Sequence, residues 1–295
     1  MKDYLVKALA YDGTVRVYAI QSTEMVKEAA RRQGTWRTVT AALGRSLTAG
    51  TMMGSMLKGD EKLTIKIEGN GPACPIIIDA HADGTARGYV THPHLDPERR
   101  ENGKLNVAAV VGREGTLSVV KDLGMKDYFT GSVPIVSGEL GEDFTYYFAS
   151  SEQTPSSVGL GVVIGQEEEV EAAGGFIVQM MPGAKDETID EIEQRLNSLP
   201  PVSSMIQEGK KPEEIIEALT GEGNYTTLDN MAVSFQCQCS KERIGNAIIG
   251  LGEEDITAMI EEDEGAETTC HFCNERYLFS KKELQDLLEE KRAEE

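Results

Sequence analysis

Two close pairs of cysteines near the end of the chain constrain its fold more than any other feature. Cys237 and Cys239 have one residue between them, and Cys270 and Cys273 have two. Structural zinc sites are tetrahedral, and their ligands commonly come in pairs with about two to four residues between them. The first pair is shorter, but side chains two positions apart on an extended segment share a face. The pattern therefore predicts one Zn²⁺ held by four thiolates, those of Cys237, Cys239, Cys270 and Cys273.

The same sulfurs allow a second chemistry. Two residues of extended chain span about 6.6 Å, close to the upper limit of about 6.8 Å between Cα atoms joined by a disulfide. Cys237 could therefore bond to Cys239 if the backbone bends, and Cys270 to Cys273. Metal binding and disulfide formation compete for the same sulfurs, so the pattern allows a redox switch as well as a purely structural zinc site. His271 lies between two ligands, but four thiolates already complete a site.

The cysteine pattern resembles that of the redox-regulated 33 kDa heat-shock chaperone family. Three other segments are similar to segments of this family: Asp-Gly-Thr-Val-Arg at 12–16, Ser-Glu-Gln-Thr-Pro-Ser at 151–156 and Gly-Gly-Phe-Ile-Val-Gln-Met-Met-Pro at 174–182. The resemblance covers essentially the whole chain, and the cysteine pattern is its most specific part.

This resemblance implies a redox-regulated holdase, a chaperone that is not an enzyme and works without ATP under oxidative stress. The reduced, zinc-bound form would be inactive. Oxidation to the disulfides Cys237–Cys239 and Cys270–Cys273 would release Zn²⁺, unfold the end of the chain and expose surface for unfolding client proteins. The active form is expected to be a homodimer, with ATP-dependent chaperones as downstream partners.

Charge excludes several partners. The formal net charge is −21, which opposes binding to nucleic acid because that affinity comes largely from Lys and Arg on phosphates. It also weakens attraction to anionic membranes. No apolar signal segment is predicted, and the apolar run Val39–Leu57 contains Arg45 and many small residues, which favours a packed helix over a membrane span. We expect a cytoplasmic protein, where clustered thiols indicate metal binding or redox sensing rather than permanent disulfides.

The hydrophobic pattern predicts an α+β protein in three parts. Residues 1–182 read as an N-terminal domain with a mixed sheet and packed helices, and the family resemblance implies that this domain binds substrate and dimerises. Residues 183–232 show helical periodicity and almost no strand signal, which predicts a helical linker whose apolar face docks on the first domain. Residues 233–295 are expected to form a small zinc-binding domain with 16 acidic and 7 basic residues. A domain this small and this charged is marginally stable without a cross-link such as a metal ion.

Several finer predictions concern the first domain. Its strands are expected at 63–67, 75–79, 85–90, 105–111 and 116–120, and a long helix at 38–57. Small residues recur every four positions on that helix, at Ala42, Ser46, Gly50 and Gly54. They would allow either close core packing, which we favour, or an oligomer contact. The remaining cysteine, Cys74, is expected to be a small buried residue rather than a nucleophile.

Two other functions compete with the holdase. A thiol–disulfide oxidoreductase would use Cys237 and Cys239, but the chain lacks the βαβ context of such enzymes. A constitutive adaptor with a purely structural zinc knuckle would only be damaged by oxidants.

Overall fold

The computed structural model describes the backbone of residues 2–294 and the side chains of residues 2–292. It consists of two compact units that divide between Gln236 and Cys237. Helices and strands alternate irregularly in both units, so the predicted α+β fold class is confirmed.

The N-terminal unit contains eleven strands and seven helices among its described residues. In chain order they are β1 (Tyr4–Ala10), β2 (Val15–Gln21), α1 (Thr23–Gln33), α2 (Arg37–Gly54), β3 (Lys62–Gly69), β4 (Ile76–His81), β5 (Thr85–Val90), α3 (Val107–Val111), β6 (Gly115–Asp122), β7 (Phe129–Pro134), α4 (Gly141–Ser150), β8 (Ser156–Ile164), β9 (Val170–Met180), α5 (Asp186–Ser198), α6 (Val202–Gln207), α7 (Pro212–Thr220), β10 (Tyr225–Ala232) and β11 (Ser234–Phe235).

These strands form two sheets. Sheet A is antiparallel with the order β10-β1-β2-β9-β8, and sheet B has the order β11-β5-β4-β3-β6-β7. Sheet B is antiparallel except that β11 runs parallel to β5. Asp12 and Gly13 lie in the turn that joins β1 to β2, and both residues have positive φ. An Asp-Gly pair suits such a turn because glycine adopts positive φ without steric cost.

Helix α2 contacts strands of both sheets and is almost entirely buried. Its small residues make this possible. A Cβ at Gly50 would lie 2.8 Å from Cγ2 of Ile78, and one at Gly54 would lie 2.9 Å from the carbonyl oxygen of His81. The row of small side chains is therefore core packing against sheet B, as we favoured, and not an oligomer contact.

Helices α5–α7 pack on sheet A through a second apolar core. This core joins side chains of β1, β2 and β9 to those of the three helices: Val6, Ala8, Ala10, Val15, Val17, Ala19, Ala172, Phe176, Val178, Ile192, Met205, Ile206, Ile215, Ile216 and Leu219. The predicted docking of the amphipathic segment on the first part of the chain is therefore observed.

Two element predictions were wrong. The expected strand at 105–111 is instead the short helix α3, because a short apolar run cannot be assigned by periodicity alone. The absence of strands predicted for 183–232 was also wrong, since Tyr225–Ala232 forms β10 and pairs with β1. Six of the eight β10 side chains are exposed, so the sequence carries no apolar alternation there.

The C-terminal unit contains α8 (Lys241–Ile249), α9 (Glu253–Glu261), β12 (Gly265–Thr269), β13 (Arg276–Ser280) and α10 (Lys281–Glu294). Strands β12 and β13 form an antiparallel hairpin. Its apolar core is small and consists of Ile248, Ile256, Ile260, Phe279, Leu284 and Leu288.

Candidate metal centre

The first cysteine pair lies in the short segment between β11 and α8. Cys239 directly precedes Ser240, the N-cap of α8, whose hydroxyl accepts a hydrogen bond from the Arg243 amide at 3.1 Å. Such a cap fixes where the helix begins. The position of Cys239 is therefore set by the first turn of α8.

The second pair lies in the loop of the β12–β13 hairpin. The Cys270 amide donates to the carbonyl of Glu275 at 2.9 Å, and the Asn274 amide donates to the carbonyl of Cys270 at 2.8 Å. Asn274 has a φ of 57°, a conformation that Asn tolerates better than most residues. These bonds close a tight loop around Cys270 and Cys273.

The four sulfurs converge. All of them lie within 4.8 Å of one another, and the distance between Sγ atoms is 3.7 Å for Cys237 and Cys270 and 3.3 Å for Cys239 and Cys273. A tetrahedral metal with bonds to sulfur of about 2.3 Å separates its ligand atoms by about 3.8 Å. A disulfide would need about 2.05 Å, and all five cysteines are free thiols. The arrangement fits one tetrahedral, thiophilic metal ion.

The protein surroundings favour the neutral thiols when no ion is bound. Cys270 and Cys273 are buried, whereas Cys237 and Cys239 are half-buried. Burial raises the pKa of the Cys270 and Cys273 thiols. Neighbouring thiols raise the pKa of Cys273 further, whereas for Cys270 the thiol of Cys237 raises it and that of Cys273 lowers it. A bound dication stabilises thiolates instead. Metal binding here would release protons, so affinity should fall as the pH falls.

Tyr277 also takes part in the site and was not foreseen from the sequence. Its hydroxyl donates a hydrogen bond to Sγ of Cys239 at 3.1 Å, and this bond raises the pKa of Tyr277. Tyr277 lies on β13, just after the loop that contains Cys273. No ligand-spacing rule predicts that a tyrosine at this position would contact the site. Asn274, which follows Cys273, could have indicated the tight loop, because Asn is among the few residue types suited to positive φ.

Two residues considered beforehand lie outside the cluster. His271 is exposed and is not one of the four converging groups. Cys74 belongs to the N-terminal unit, where it packs against the core around α2 with its sulfur 3.3 Å from the carbonyl oxygen of Val111. Burial raises the pKa of its thiol, which is the opposite of what a nucleophile needs.

Comparison with known proteins assigns the chain to a family. A family model described as "Hsp33 protein" matches residues 3–280. The chain belongs to the Hsp33 family. The 33 kDa chaperonin of Shouchella clausii is 64% identical over 290 residues, which are 98% of each chain. That of Bacillus cereus is 60% identical over 289 residues, or 98% of this chain and 99% of the relative.

A solved structure extends the likeness to the fold. The crystal structure of the 33 kDa chaperonin of Thermotoga maritima, a heat shock protein 33 homolog, superposes with a TM-score of 0.91 at 34% identity. The match covers 99% of this Hsp33 chain and all of the Thermotoga chain. The resemblance seen in the sequence is therefore confirmed. Among the residues that the structure describes, no helix combines the length and apolar character needed to cross a membrane.

Proposed function

We propose that this Hsp33 protein is a redox-regulated, ATP-independent holdase that protects unfolding proteins during oxidative stress. The observation that carries the proposal is the convergence of four cysteine sulfurs in a unit with a very small apolar core. We assign the role of zinc ligands to Cys237, Cys239, Cys270 and Cys273.

The first step of the mechanism is the dependence of the C-terminal unit on its ion. When bound, zinc supplies a four-way cross-link between the two cysteine segments. Structural zinc contributes about 10–16 kcal/mol of apparent binding energy coupled to folding, whereas a whole domain is stable by about 5–15 kcal/mol. Six buried apolar side chains cannot replace that contribution, so the unit unfolds when the ion leaves.

The second step is oxidation. In each cysteine pair, two sulfurs lose two electrons and form one S–S bond, while one peroxide molecule takes up the electrons and two protons to give two waters. We propose the pairs Cys237–Cys239 and Cys270–Cys273, since neighbours in sequence close the smallest loops. All four sulfurs lie within 4.8 Å of one another, so distance alone does not select the pairing, and mapping the disulfides will test it.

The third step is release of apolar surface. We divide the chain functionally into a substrate-binding and dimerisation domain (1–182), a linker (183–232) and a switch domain (233–295). Helices α5–α7 of the linker cover apolar residues of sheet A. Their release would expose this face to unfolding client proteins. The active protein would be a homodimer in the cytoplasm and would later pass its clients to ATP-dependent chaperones.

A paired measurement tests this function. Released zinc and free thiols are counted before and after peroxide at mildly elevated temperature, and suppression of a client's aggregation is measured in the same samples. We expect zinc release, loss of four thiols and suppression to rise together and to reverse with a reductant. Cys74→Ser is the matched control and should behave like the parent. If the reduced, zinc-bound form suppressed aggregation equally well, the protein would instead be a constitutive adaptor. Catalytic turnover of small disulfides would instead favour a thiol–disulfide oxidoreductase.

A further inference from the structure

Strand β10 forms one edge of sheet A and is weakly held by its side chains. Six of its eight side chains are exposed and two are half-buried. Its neighbour β1 has four buried side chains, Leu5, Val6, Ala8 and Ala10. Backbone hydrogen bonds to β1 therefore provide most of what holds β10 in the sheet.

The pairing of the two strands is irregular as well. The register shifts between Lys7 and Ala8, which face Asp229 and Thr227 respectively, so Leu228 is an extra residue in β10. Leu228 is 57% exposed, although a leucine normally contributes to stability by being buried. The nearby ion pair between Lys7 and Asp229 spans 3.5 Å and is too open to solvent to add much.

Two side chains of β10 do make apolar contacts, one at each end. Tyr225 packs against the core beneath α5–α7, and Met231 packs against the core around α2. The bulge at Leu228 lets the strand present one side chain to each face of the sheet, because an extra residue reverses the alternation.

The position of β10 in the chain links it to the thiol cluster. It ends at Ala232, and Cys237 follows after the short strand β11. Between β10 and the first cysteine, β11 and its neighbours hold the chain to the N-terminal unit. Ser234 and Phe235 pair with β5, the Gln236 amide donates to the carbonyl of Ala86, and Val233 and Phe235 pack against the core around α2. Once these contacts are released by unfolding of the cysteine-containing unit, β10 is left with few side-chain contacts of its own.

We propose that β10 occupies the site at which clients bind, and that its departure frees the edge of β1. Extended client segments then pair with this edge by strand addition. The inference rests on the proposed holdase function and names a second, main-chain mode of binding beside the apolar face under α5–α7. An exposed strand edge pairs with any extended chain, because the bonds are made by backbone groups. This suits a protein that must accept many sequences.

The geometry of β10 defines the segment that fits best. It is about eight residues long, lacks proline, and carries apolar side chains where Tyr225 and Met231 now lie. The occupant is thus an extended, partly apolar stretch of an unfolding protein and not a folded partner.

Hydrogen exchange of the full-length, zinc-loaded protein tests this inference. Exchange is followed by mass spectrometry in the reduced protein, after peroxide, and after peroxide with a chemically unfolded client. We expect the amides of residues 4–10 that point towards β10 to be protected, then exposed, then protected again, while the β1 amides bonded to β2 stay protected throughout and residues 225–232 stay exposed in the last two states. Strand β8, the opposite edge of sheet A, is the internal control and should not gain protection from the client.

Three results would overturn the inference. They are continued protection of the β1 amides that point towards β10 after peroxide, continued exposure of these amides with client bound, and their renewed protection without client at higher protein concentration, which would assign the edge to a second copy of the chain. Aggregation is measured in the same samples. Suppression without protection of β1 removes this inference alone, whereas absence of suppression removes the holdase function itself.

A variant pair tests the same point independently. Thr227→Ile should hold β10 in place more firmly, because it keeps the β-branched shape and replaces a hydroxyl with additional apolar surface, and should slow the onset of suppression about threefold. Thr130→Ile makes the same change at an exposed position of β7, the edge strand of sheet B, and should have no effect. Equal rates in the two variants would contradict the role of β10.

Discussion

Among the described residues, the N-terminal unit contains two apolar cores of 40 and 15 buried side chains. The C-terminal unit contains one apolar core of six buried side chains, together with the cluster of four thiols. Apolar burial changes little when the redox state of the solution changes. A cluster of thiols depends on metal, oxidant and pH. The comparison teaches that one chain can combine a permanent domain with a conditional one, because each draws its stability from a different source. Each prediction below separates the two sources, beginning with the largest effect.

Removal of one ligand should have the largest effect. Cys270→Ser is expected to abolish tight zinc binding and to unfold the C-terminal unit, since it forfeits most of the about 10–16 kcal/mol of metal-coupled folding energy. The N-terminal unit should melt as before. Metal analysis together with calorimetry measures both. Cys74→Ser should leave zinc content unchanged, and normal zinc content in Cys270→Ser would refute the ligand assignment.

Truncation of a core aromatic should act differently in the two units. Phe279→Ala in the small core and Phe144→Ala in the large one each remove about 3–5 kcal/mol. In the C-terminal unit, folding is coupled to zinc binding, so the lost stability should weaken zinc affinity at least a hundredfold. Each loss of about 1.4 kcal/mol lowers a binding constant tenfold. In the N-terminal unit it lowers denaturation stability and leaves zinc affinity unchanged. Chelator competition and urea titration distinguish the two; equal effects on zinc affinity would mean that the units are not independent.

Titration of Asp3 should change the stability of the N-terminal unit by about 1–3 kcal/mol. Burial raises the pKa of Asp3 from 3.8 to about 6, so the folded state binds this proton more tightly than the unfolded state. The contribution of Asp3 to stability is therefore fully present below about pH 4 and is lost as the pH rises to about 6. The difference in unfolding free energy between the parent and Asp3→Asn should change by that amount between pH 4 and pH 7.

The control for this prediction is Asp127→Asn, which changes an exposed carboxylate. Its difference from the parent should stay constant over the same pH range. A constant difference for Asp3→Asn would show that the buried carboxyl does not titrate in this window.

Helix caps should give the smallest effect, and it should appear mainly in the C-terminal unit. Ser240 caps α8, and Ser280 and Glu283 form a capping box at the start of α10, with the Ser280 amide 2.9 Å from a Glu283 oxygen. Ser240→Ala should cost about 1 kcal/mol and weaken zinc affinity several-fold, while Ser240→Asp should restore both. Failure of the aspartate to restore them would mean that Ser240 acts by some route other than capping.

Sequence reasoning succeeded where local chemistry determines structure. The four cysteines and the small residues of α2 could both be assigned from spacing and residue type. It failed where tertiary contacts decide. The first turn of α1 has no side-chain cap from Ser22; instead the Met25 amide donates to the carboxylate of Asp3 at 2.7 Å. No local pattern reveals a cap supplied by a residue that lies before β1, far from the helix in sequence.

Exposed strands were missed for a related reason. Strands β7 and β10 expose most of their side chains, so their pairing depends on backbone bonds that leave no hydrophobic signature. Within the site, the two segments meet closely, with the sulfurs of Cys239 and Cys273 3.3 Å apart and those of Cys237 and Cys270 3.7 Å apart. The hairpin that brings the segments together was not foreseen from the sequence, and the proposed disulfides between sequence neighbours stay a prediction.

The most direct test of the account removes the metal without oxidation. Zinc is extracted by a strong chelator in excess reductant, and hydrogen exchange of both units is followed in one sample. We predict that residues 237–292 lose all protection while residues in the cores of the N-terminal unit, such as those of α2, keep theirs. Continued protection of residues 237–292 without zinc, or loss of protection in both units together, would contradict the claim that a metal–thiol cluster alone keeps the C-terminal unit folded.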